Sequence, residues 1–256
     1  MSLREDPREY IIKRRLEKIR FIVPVMSYKG GVGKTVISSL LALAASENGH
    51  RVGLLDLDFT NPSLHLVLGV DPYKNKPAEE KGVIPPTINS ISFMSLVFYT
   101  RDNPSPLRGR ELYEIYRELL SITIWGEKDF LVIDHPPSLT DISLDTINLL
   151  GKYSRPLIVS TASKLSLNPT INLVKILREM SIEPIGVVIN LYREDEELKR
   201  VIEEAFDRNR IHLLGYINYD PDLEKSLGSI ESLKKTQIYR VVRERIFREV
   251  ARVLGA

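Results

Sequence analysis

Short apolar runs alternate along this chain with longer segments whose apolar residues recur at helical spacing. Runs at 21–26, 51–57, 91–98, 130–134, 156–161, 184–190 and 211–217 predict strands. Within the second, Val52-Gly53-Leu54-Leu55 has no polar alternation, the pattern of a strand buried on both sheet faces. Periodic segments at 8–20, 36–45, 111–124, 141–150, 165–180, 198–206 and 238–254 predict helices. Asn48-Gly49 ends the second of these. Residues 71–86, rich in Pro, Lys and Glu, read as a loop, and 101–110 is polar and rich in Pro and Gly. Strand–helix alternation from Phe21 to Ile217 predicts an α/β fold: a mostly parallel sheet with helices on both faces. Neither a repeat nor a linker interrupts it. The expected organisation is one domain over 1–256, with 1–20 a helical extension and 236–256 a C-terminal helix.

Composition narrows the class. The 256 residues are 43% hydrophobic and 27% charged, which suits one domain burying about 75% of its unfolded surface. No apolar run reaches the roughly 18 residues of a membrane span. The first ten residues are charged and lack a signal peptide's apolar core, so a cytoplasmic location is expected. There is no cysteine, so this chain by itself makes no disulfide, thiolate zinc site or cysteine-ligated iron–sulfur cluster. His50, His65, His135 and His212 are scattered without metal-ligand spacing. A net charge of +2 gives no general case for nucleic acid.

The chemistry concentrates after the first strand. Ser27-Tyr28-Lys29-Gly30-Gly31-Val32-Gly33-Lys34-Thr35 lies between that strand and a helix, the context of a phosphate-binding loop. Glycines let the backbone approach an anion, and loop N–H groups with the helix N-terminus supply positive potential. Residues Gly30, Gly31, Val32, Gly33, Lys34, Thr35 and Val36 are the expected nucleotide contacts. Lys34 would reach the terminal phosphates and Thr35 would ligate Mg²⁺. A dinucleotide fingerprint fits less well, since Val36 stands where a third glycine belongs. Asp56 and Asp58 close the second strand, where one acid can hold Mg²⁺ through water and the other can orient the attacking water. An Asx-type cap is the structural alternative. Phe130-Leu131-Val132-Ile133-Asp134 has the Walker B form, an apolar strand delivering an acid beside the metal. His135 follows it, where it could touch phosphate or the nucleophilic water; a variable switch residue with no such role is the competing reading.

Lys-Gly-Gly-Val-Gly-Lys-Thr resembles the deviant phosphate loop of the MinD, Mrp and ParA families; Tyr28 replaces the first glycine of the usual pattern. Asp58-x-x-Asn61-Pro62-Ser63 resembles their switch I, and Asp134-x-Pro136-Pro137 their switch II, with Ser138 in place of an Mrp glycine. Trp125-Gly126 and the run 106–109 lean toward Mrp. The resemblance implies ATP and Mg²⁺ as cofactors, slow hydrolysis and a homodimer with nucleotide at the interface. It implies that Lys29 acts in trans, that Asp58 orients water and that Asn190 reads the adenine. Asp56, Asp134 and Thr35 then serve the metal, and Lys29, Lys34 and Asp58 catalysis. Mrp carriers place Cys-x-x-Cys after the strand at 184–190; Tyr192-Arg193-Glu194-Asp195 stands there instead. The expected role is an Mrp-like assembly or carrier ATPase with an unidentified protein partner or cargo. The alternative is a MinD- or ParA-like positioning ATPase binding membrane or DNA, for which the arginine-bearing C-terminal helix is the relevant feature. The same helix packed on the sheet is the competing reading of that segment.

Overall fold

The alternation of strand and helix becomes one eight-stranded sheet in the computed structural model, which describes residues 6–100, 110–137 and 141–256. Helix α1 (Pro7–Leu16) leads into β1 (Ile19–Met26), followed by α2 (Lys34–Glu47), β2 (Val52–Asp56) and α3 (Leu64–Leu68). A small hairpin, β3 (Ala78–Glu79) with β4 (Val83–Ile84), and then β5 (Thr87–Ile88) precede β6 (Ile91–Ser95). Next come α4 (Val97–Thr100), α5 (Arg110–Ile122), β7 (Lys128–Asp134) and α6 (Asp141–Leu150). The pattern continues with β8 (Leu157–Thr161), α7 (Lys164–Glu179), β9 (Gly186–Tyr192), α8 (Glu196–Arg208) and β10 (Leu213–Asn218). The C-terminal region carries α9 (Leu223–Ser226), α10 (Ile230–Leu233), α11 (Gln237–Val241) and α12 (Phe247–Leu254). A π-helical turn, Val242–Ile246, joins the last two.

In space the strands run β10-β9-β8-β1-β7-β2-β6-β5. Every pairing in this sheet is parallel except β5 against β6. β2 is buried throughout and β1 over most of its length, so both sheet faces are covered. From β1 the chain runs to β2 on one side, and from β7 it crosses to β8 on the other side of β1. Such a switch point opens a crevice at the C-terminal strand ends, and the glycine-rich loop emerges there.

Pairing and capping move several boundaries. Ile19 and Arg20 belong to β1 rather than to the first helix, because β1 pairs with β7 from Ile19 onward. The apolar stretch at 91–98 divides at Ser95, whose Oγ accepts the Val97 N–H at 3.3 Å and turns the chain into α4. β9 runs past Asn190 to Tyr192, held by Thr161 on one side and Asn218 on the other. The C-terminal helix packs on the fold, with Ile238, Val242, Ile246 and Val250 buried and Arg240, Arg243, Arg245, Arg248 and Arg252 exposed. The run 106–109 and Ser138 lie outside the described residues.

Candidate functional site

The turn at the head of α2 depends on glycine. Gly31 and Gly33 have φ of +75° and +85°, a left-handed backbone that a side chain strains. A Cβ on Gly33 would lie 2.3 Å from Asn190 Nδ2, whereas one on Gly30 or Gly31 would meet nothing within 4 Å. The loop is thus packed below and open above, as a cradle for an anion must be. A cleft of about 330 Å³ lies over it, lined by Lys29, Gly30, Gly31, Gly33, Lys34, Thr35, Val36 and Asp58. Ser27, Thr60, Asn61, Ser63 and Pro137 complete the lining.

Strand register places the acids. Asp134 stands opposite Val25 of β1 and Asp56 of β2, so it surfaces beside the loop. Lys34 Nζ donates to Asp134 Oδ1 at 2.7 Å and Thr35 Oγ1 donates to Oδ2 at 2.8 Å. Ser38 Oγ lies 2.9 Å from Oδ1. The carboxylate is fully buried, so these charge-assisted contacts offset its lost hydration.

Asp56 is also fully buried and does not line the cleft. Its Oδ1 accepts the Asp58 N–H at 3.1 Å, and Oδ2 lies 3.4 Å from both Leu64 N and Ser95 Oγ. Burial first, and then the neighbouring Asp134, push its carboxyl well above the usual range. Asp58 lies beyond the end of β2, where the chain turns. It accepts Thr60 Oγ1 at 2.8 Å and the Asn61 N–H at 3.2 Å, an Asx turn that holds its carboxylate at the cleft wall.

Lys29 is exposed, and its Nζ donates to the Leu165 carbonyl at 3.2 Å. Asn190 lies beneath the loop, giving Nδ2 to the Val32 carbonyl at 2.8 Å, while its buried Oδ1 has no partner among the described residues. Val32 is buried and turned away from the cleft. His135 is fully buried with Nδ1 at 3.3 Å from the Pro136 carbonyl oxygen, and burial pulls its pKa down to about 4.

The structure thus brings Lys34, Thr35 and Asp134 into contact and sets Lys29, Val36 and Asp58 around the same cleft. Asp56 and Asn190 support it from beneath. The sequence motifs include Ser27 and Asn61 without giving them a role, and do not single out Ser38 or Thr60. The spacing of Ser38, one helical turn after Lys34, was the available signal for that residue.

These groups fit a nucleoside triphosphate with a divalent cation: an open amide cradle, and a lysine, a hydroxyl and an acid in contact. Fold and site together define a P-loop ATPase, a class whose cofactors are ATP and Mg²⁺. The chain belongs to the ParA-type family of NUBPL iron-transfer P-loop NTPases, whose profile it matches over residues 18–253. It is 34% identical over 183 residues to the iron–sulfur cluster carrier protein of Methanococcus maripaludis, a match covering 70% of this chain. It spans 63% of that relative's length, under two thirds. A solved nucleotide-binding protein from Archaeoglobus fulgidus, in complex with ADP, is 30% identical with a TM-score of 0.74, covering 89% of this chain and 93% of that one. The cell division ATPase MinD of Pyrococcus furiosus shares the fold at 22% identity and a TM-score of 0.65, covering 92% and 98% of the two chains.

Proposed function

We propose that this chain is an Mrp-like assembly or carrier ATPase that uses slow ATP hydrolysis as a dimerisation switch. The observation that carries the reading is the buried Asp134 carboxylate held by both Lys34 and Thr35 beneath an open glycine loop. Bound ATP·Mg²⁺ supplies the transferable phosphoryl group and the divalent charge. Lys34 and the loop amides hold the phosphates. Thr35 and Asp134, already in contact, would hold the metal. Asp58 orients the nucleophilic water. Asp56, bonded to the Asp58 N–H, is better placed to fix that turn than to ligate metal. Asn190 steadies the loop through Val32 and keeps an acceptor for adenine. Catalysis of this kind rests on positioning and charge neutralisation.

Lys29 completes the switch in this reading, leaving its own Leu165 carbonyl to reach nucleotide on a second copy. The chain has no cysteine, so a metallocluster cargo takes its thiolate ligands from the partner protein. Among the described residues no helix is long and apolar enough to cross a membrane, and a cytoplasmic site of action is part of the proposal. Solution mass by light scattering, with no nucleotide, ADP·Mg²⁺ and ATP·Mg²⁺, tests it. The expected result is a dimer with ATP·Mg²⁺ that Lys29→Ala abolishes. A mass unchanged by ATP, with binding confirmed, sinks the switch.

A further inference from the structure

The Asp134 carboxylate must change partners when the site fills. Among the described residues it receives Lys34, Thr35 and Ser38. On the ATP·Mg²⁺ reading, on which this inference rests, Lys34 leaves for the phosphates and Thr35 turns to the metal. Two of its three protein donors then depart from a fully buried acid. A buried acceptor left unpaired carries the full cost of its desolvation.

Ser38 stays. It lies one helical turn after Lys34, fully buried, with its Oγ between two acceptors: the Lys34 carbonyl at 3.0 Å and Asp134 Oδ1 at 2.9 Å. One hydroxyl carries one proton, so it serves one acceptor at a time. In this arrangement Lys34 Nζ already satisfies Oδ1 at 2.7 Å, and the serine O–H is free to remain on the helix carbonyl. That carbonyl also receives the helical N–H of residue 38, so it does not need the hydroxyl. We propose that Ser38 is a positioning residue for Asp134, whose hydroxyl proton passes from the Lys34 carbonyl to Asp134 Oδ1 as Lys34 moves to phosphate. Ser38 thereby keeps Asp134 aimed at the metal while both other donors are away.

The geometry provides a matched control one residue on. Ser39 is equally buried and its Oγ donates to the Thr35 carbonyl at 2.9 Å, the same backward helix bond without a carboxylate. The experiment titrates Mg²⁺ against a fluorescent ATP analogue bound to wild type, Ser38→Ala, Ser39→Ala and Asp134→Asn, with thermal unfolding of each nucleotide-free protein. Ser38→Ala is expected to raise half-saturating Mg²⁺ about tenfold, with Ser39→Ala at the wild-type value and Ser38→Thr restoring most of the loss. Nucleotide-free Ser38→Ala is expected to unfold close to wild type, since Lys34 still satisfies Oδ1. Wild-type Mg²⁺ dependence in Ser38→Ala, or an equal shift in both serine variants, would overturn the role. Analogue binding indifferent to Mg²⁺ and to Asp134→Asn would instead overturn the ATP·Mg²⁺ reading beneath it.

Discussion

One carboxylate governs the chemistry at the scale of single residues. Asp134 is fully buried and Lys34 nearly so, and their contact is 2.7 Å. On the proposed ATP·Mg²⁺ reading, replacing Lys34 by Ala removes a charge-assisted phosphate contact worth about 1.5–3 kcal/mol, or about tenfold or more in ATP affinity. It also strands the acid, so the nucleotide-free variant should lose about 3 kcal/mol of stability. Calorimetric titration of ATP·Mg²⁺ and urea unfolding read the two effects, and full retained affinity would remove Lys34 from the site. His135 makes a pH prediction. Burial holds its folded pKa near 4 against 6.5 unfolded. Between those values the unfolded chain takes up a proton that the folded chain refuses, so stability falls as pH drops. The contribution between pH 7 and pH 5 is about 2 kcal/mol. Urea unfolding at the two pH values should show a shallower loss in His135→Asn, and identical slopes would discount the histidine. That the loop, Thr35, Asp58 and Asp134 lie together was legible, because spacing and strand context put them all at the C-terminal strand ends. The aim of a buried side chain has no such signature. Asn190 bonding Val32, and Asp56 turning to Asp58, follow from packing that brings distant segments together.

Elements were legible where periodicity was strong and their ends were not. Hydrogen-bond pairing and caps set those ends, as Ile19 and Ser95 demonstrate. What no local pattern announced is the anchoring of α2. This helix carries the phosphate loop at its head and Glu47 at its tail, about 20 Å away at the helical rise. A carboxylate in the last helical turn opposes the helix dipole. Three groups from the C-terminal region offset it: Tyr239 Oη donates to Glu47 Oε2 at 2.6 Å, Lys234 Nζ lies at 2.9 Å and Arg243 Nε at 3.4 Å. Burial raises the Glu47 pKa, but these partners hold it below the ordinary range. Glu47→Ala should therefore lower stability by about 1–2 kcal/mol with an unchanged urea m-value. An unaltered midpoint would mean that the tail of α2 is held by apolar packing alone.

For the whole molecule, fold class followed from the alternation of elements, but strand order did not, because only tertiary packing decides which strands become neighbours. Order is what matters to the site: β1 between β7 and β8 brings the loop over the buried Asp134, with Asp56 beside that acid on β2. The docked C-terminal helix bears on the positioning alternative. Lifting it toward a bilayer would expose Ile238, Val242, Ile246 and Val250, at about 1.5–3 kcal/mol each. That sum rivals the whole stability of a typical domain, so this face is committed to the fold. The Lys34–Asp134 contact has a consequence for the equilibrium as a whole. On the proposed reading, the acid that pairs with Lys34 also faces the cation when ATP·Mg²⁺ binds, which links the two cofactors thermodynamically. Whatever factor Mg²⁺ contributes to ATP affinity, ATP returns to Mg²⁺ affinity. In the proposed switch the free Mg²⁺ level is thus an input, and a metal-free nucleotide would separate the lysine from its acid with no cation to take its place.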